Sequence, residues 1–63
     1  MDIQIRGKQN GEVVFSMSGE ADFVAQEALR YAIQYASEGE VTLERKIGRS
    51  RWNPNPIYKV SAP

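Results

Sequence analysis

Over residues 2–8 and again over residues 12–18 polar and apolar residues alternate. Ile3 and Ile5 face one way and Gln4, Arg6 and Lys8 the other over residues 2–8. Val13, Phe15 and Met17 share one side over residues 12–18. A period of two is the signature of a half-buried strand, so this stretch reads as a hairpin turning through Gln9, Asn10 and Gly11. A two-residue Asn-Gly loop would pair Arg6 with Phe15 and set the large side chains on opposite faces. A three-residue loop pairs Lys8 with Glu12, Ile5 with Phe15 and Ile3 with Met17, and so collects them on one face. The expectation is the three-residue loop, with Gly11 left-handed as a bulge.

The period then changes. At 100° per residue, Ala21, Ala25, Ala28, Ala32 and Ala36 form a line. Val24, Tyr31 and Tyr35 flank it on one edge, and Leu29 and Ile33 on the other. Gln26, Glu27, Arg30, Gln34 and Ser37 gather opposite. This is an amphipathic helix with a narrow ridge, able to lie close to a sheet while the flanking residues grip its edges. Ser18 is its expected N-cap, Glu20 and Asp22 suit the positive end of the helix dipole, and Gly39 is a natural stop. Phe23 alone among the large apolar residues falls on the polar side. Folding back over the end of the core and meeting a partner are its two readings.

Alternation returns over residues 41–48, with Val41, Leu43 and Ile47 inward and Arg45 interrupting their face. A last strand is expected over residues 57–62, with Tyr58, Val60 and Ala62 inward. Pro54 and Pro56 oppose regular pairing between the two. The order is therefore β-β-α-β-β. The expected fold is a two-layer α+β domain over residues 1–63, a four-stranded antiparallel sheet with one helix across one face. The other face would carry Gln4, Arg6, Lys8, Val14, Ser16, Thr42, Glu44, Lys46, Ile57 and Lys59.

Composition narrows the chemistry. The 63 residues include no cysteine and no histidine, which excludes disulfides, thiol chemistry and Cys/His zinc sites. General acid–base and nucleophilic catalysis lose their usual residues as well, and the remaining carboxylates read as helix-end or solvated charge. No phosphate-binding loop, dinucleotide fingerprint or calcium loop is present, so no cofactor is expected, and neither is enzymatic activity. No segment is long and apolar enough to span a bilayer, and the N-terminus lacks the apolar stretch of a signal peptide. A cytoplasmic binding module is the expectation.

Net charge is zero, but residues 1–40 hold three basic against seven acidic side chains, and residues 41–63 five against one. Residues 44–59 also hold the single tryptophan. Arg45, Lys46, Arg49, Arg51, Trp52 and Lys59 are thus the candidate contact residues for nucleic acid, cations on phosphates and the indole on a base. The competing structural reading has Trp52 and Tyr58 closing the core. In it the arginines pair with Glu38, Glu40 and Glu44 or with carbonyls at the helix C-terminus. A second functional class is an accessory or inhibitory factor that binds protein, through a sheet edge or as a homodimer.

Overall fold

The computed structural model describes residues 2–53 and 58–62. It contains β1 (Asp2–Gln9), β2 (Glu12–Glu20), α1 (Ala21–Tyr35), a 3-10 turn (Ala36–Glu38), β3 (Val41–Ile47) and β4 (Tyr58–Val60). The four strands form one antiparallel sheet in the order β2-β1-β3-β4, with α1 packed on one face. The α+β fold expected from the sequence is the fold observed. The order has a simple cause. β2 and β3 both pair antiparallel with β1, one on each side of it. They therefore run parallel to each other, and a parallel pair needs a crossover, which α1 provides.

The first hairpin corrects the expected register. Gln9 pairs with Glu12 and Lys8 with Val13, then Gly7 pairs with Phe15, Ile5 with Met17 and Ile3 with Gly19. The turn is the two-residue Asn10-Gly11 loop after all, with φ of 54° and 81°. Positive φ at both central positions matches the twist of a hairpin, and Asn-Gly is the pair best able to adopt it. The conflict with burial is resolved further along, by a bulge that leaves Val14 unmatched. One extra residue in β2 turns Phe15 and Met17 onto the isoleucine face.

Phe15 consequently lies across Gly7. A Cβ at Gly7 would fall against Cε2 and Cζ of that ring, so the glycine makes the room that the ring occupies. The ring also meets Tyr31 edge-on and stacks on Tyr35, both at a centroid distance of 5.7 Å.

The strand β2 continues to Glu20, two residues beyond the expected helix start, and Ser18 pairs with Gln4 instead of capping the helix. Glu20 takes the N-cap position without a side-chain cap bond, and Asp22 supplies the first-turn charge. At the other end Gln9 is buried and its Nε2 donates to the carbonyls of Tyr35 (2.8 Å) and Gly39 (2.9 Å). No basic residue stands in the last turn of α1. This buried amide satisfies carbonyls left over at the helix end.

The core is aliphatic: Ile3, Ile5, Val24, Ala28, Ala32, Ala36, Val41, Leu43 and Val60. The alanine line does bring α1 down onto the sheet, though Ala25 is exposed. Leu29 and Ile33 do not grip the sheet edge; Ile33 is 60% exposed. Phe23 does not fold over the core either, being 65% exposed. β4 is shorter than expected: Ala62 lies outside it, and Tyr58, although it pairs with Leu43, is 58% exposed. Pro54, Asn55, Pro56 and Ile57 lie outside the described residues.

Candidate nucleic-acid interface

The sheet face away from α1 is where the candidate residues converge. Alternation sends Gln4, Arg6 and Lys8 of β1 outward. Pairing sets Lys46 beside Gln4, Glu44 beside Arg6, and Thr42 beside both Lys8 and Lys59. The Nε of Arg6 donates to Glu44 at 2.6 Å. Among the described residues the ion pairs are this one and Arg30–Glu27 on the helix. Glu44 is therefore taken by Arg6, across the strand pair, and not by an arginine of the C-terminal third.

Trp52 lies on this face and not in the aliphatic core. The Arg6 guanidinium carbon stands 4.1 Å from the indole ring and the Lys46 Nζ 5.3 Å from it. A cation over an aromatic face is attracted by the ring quadrupole, most strongly for tryptophan. Of the two readings of Trp52, closure of the core is not the position observed, and the reason is local. The chain after β3 turns back under firm constraints that hold the indole against β1 and β3. Gly48 donates its N–H to the Asp2 carbonyl (3.4 Å), Ser50 donates its N–H to the Ile47 carbonyl (3.0 Å), and the Ile47 N–H donates to Ser50 Oγ (3.2 Å). Gly48 has a φ of 56°, which the turn requires and glycine adopts at little cost. Asn53 then donates its N–H to the Arg45 carbonyl at 3.0 Å.

These bonds fix where the cations stand. Arg49 and Arg51 project from the turn and are exposed, and Lys59 is exposed beside Thr42 on β4. None of Arg45, Lys46, Arg49, Arg51 or Lys59 forms an ion pair among the described residues. A hollow of about 290 Å³ lies between the turn and β3, with Arg45, Lys46, Ser50, Arg51, Trp52 and Asn53 in its lining. Half-buried Trp52 forms part of its wall.

Not every candidate shares the face. Arg45 pairs with Ile5 and so projects on the helix side of the sheet, where it is exposed. The structure brings Lys46, Arg51 and Trp52 together around the hollow, whose lining Arg45 also reaches, leaves Arg49 exposed on the turn, and sets Lys59 two strands from Arg6. Two residues join the group that the sequence did not single out. Arg6 stacks on the indole and Lys8 continues the cationic row along β1. The alternation of β1 carried that signal, since it sets both on the polar face. Among the described residues no three acidic side chains cluster as a metal site would need, and no helix is long and apolar enough to cross a membrane. No protein-family model, curated protein or solved structure matches the chain.

Proposed function

We propose that the chain is a non-enzymatic module that binds single-stranded nucleic acid on its open sheet face. One observation carries the reading: Trp52 is held on the polar face beside Lys46 and Arg51, with Arg49 exposed on the same turn, and none of the three cations has an acidic partner among the described residues. Phosphate binding by Lys and Arg supplies affinity that is independent of sequence. An unpaired base stacks on an aromatic ring or on a guanidinium plane, and here the indole and the Arg6 guanidinium are already stacked together. Arg6 and the turn bonds preorganise the ring, which reduces the ordering cost on binding. Single strands suit the site better than a duplex, because a stacking platform needs unpaired bases.

The test is the anisotropy of a labelled oligonucleotide titrated with the protein at several salt concentrations. Three phosphate contacts on a single strand predict a log–log salt slope of about −2, and Arg49→Ala with Arg51→Ala should remove most of it. Absence of binding to single strands at low salt rejects the proposal.

A second reading rests on a different observation. β2 is an edge strand of nine residues, with the Phe15, Tyr31 and Tyr35 rings beside it. A protein partner could add a strand there. Loss of such a partner on Ser16→Pro, with oligonucleotide binding retained, would favour this reading.

A further inference from the structure

The helix does not cover its whole side of the sheet. It packs mainly on β1 and β2 and less on β3, and beyond it, towards β4, lies a groove of about 240 Å³. Ile5, Ala25, Leu29, Leu43 and Tyr58 line it. Ile33, one turn beyond Leu29 on the same flank of α1, and Ile47, on the helix side of β3 by its pairing with Ile3, are exposed as well. Two charges border this apolar strip. Arg45 projects from the sheet on this side, and Asp22 stands one turn before Ala25 on the same flank of α1. Both are exposed, and neither forms an ion pair among the described residues.

We infer that this strip is a dimer surface, covered by the same strip of a second copy of the chain across a two-fold axis. Leu29, Ile33 and Tyr58 of one copy pack on their counterparts, and Asp22 of each copy pairs with the second copy's Arg45. A strip that carries one acid and one base on opposite walls is self-complementary, which is what an isologous contact requires. The pairing also explains why a cation interrupts the apolar face of β3. The contact leaves the opposite face free, so it is independent of the nucleic-acid reading.

Sedimentation equilibrium of the full chain without nucleic acid, over a hundredfold range of concentration, is the test. Dimers are expected. Ile33→Asp replaces an exposed side chain, so the fold should survive, as circular dichroism will verify. Its dimer dissociation constant should rise by about tenfold or more. Arg45→Asp and Asp22→Arg should each weaken the dimer by about fivefold, and the two combined should restore it to within about threefold of the parent. A monomer at every concentration overturns the inference, as does a dimer indifferent to Ile33→Asp. A combined variant no tighter than the weaker single overturns it too, because the charges are then not in contact.

Discussion

The two faces of the sheet are stabilised by different forces. On the helix side, small aliphatic residues close up on three buried alanines, Ala28, Ala32 and Ala36. Burial drives that side, and its geometry tolerates little change. On the open side the contacts are Arg6 with Glu44, Arg6 with Trp52, and the hydrogen bonds of the turn after β3. Each such contact at the surface is worth about 1 kcal/mol or less. The contrast teaches where the chain can spare side chains. None of its six aromatic residues is buried: Phe15 and Trp52 are half-buried and the other four are exposed. In a core this thin the buried residues are aliphatic; Phe15 packs against their edge with Tyr31 and Tyr35, while Phe23, Trp52 and Tyr58 stand outside it.

If the comparison is right, substitutions on the two faces separate stability from binding. The largest effect should come from Gly7→Ala, which drives a methyl into the Phe15 ring, at a cost of about 3 kcal/mol in urea unfolding. The same change made on a Phe15→Ala background should be nearly neutral, because the obstruction is gone. Gln9→Ala comes next, at about 2 kcal/mol, since it leaves the Tyr35 and Gly39 carbonyls without their shared donor. Arg6→Ala should cost about 1 kcal/mol, and it should also change the Trp52 emission spectrum by uncovering the ring. The smallest effect on stability belongs to Arg49→Ala with Arg51→Ala, within about 0.5 kcal/mol. A loss above 2 kcal/mol there would mean that the turn arginines are structural, and the contrast between the faces would collapse.

Much of this was legible in the sequence. Alternation located β1, β2 and β3, and the 100° period located α1, because burial on one face leaves a periodic trace. The polar face was legible for the same reason, down to Gln4, Arg6, Lys8, Ser16, Thr42, Glu44, Lys46 and Lys59. What escaped was set by contacts between distant residues. The turn at Asn10-Gly11 and the burial of Phe15 conflict in any regular register, and only a bulge at Val14 reconciles them. Counting one residue more in the loop is the simpler solution on paper, but it forgoes the twist that Asn-Gly provides. Ser18 looked like a cap, yet strand pairing with Gln4 outweighs a single cap bond. For Trp52 the sequence leaves two positions open, the contact surface and the core. Its position depends on the return of the chain after Gly48, and no periodicity records that.

The central claim is that the lone indole belongs to a contact surface and not to the core. Trp52 emission, followed while a single-stranded oligonucleotide is added at low salt and then reversed with added salt, tests it most directly. The account predicts quenching that saturates, returns when salt is raised, and weakens sharply in the Arg49→Ala/Arg51→Ala variant. Emission that stays constant throughout the titration would contradict it.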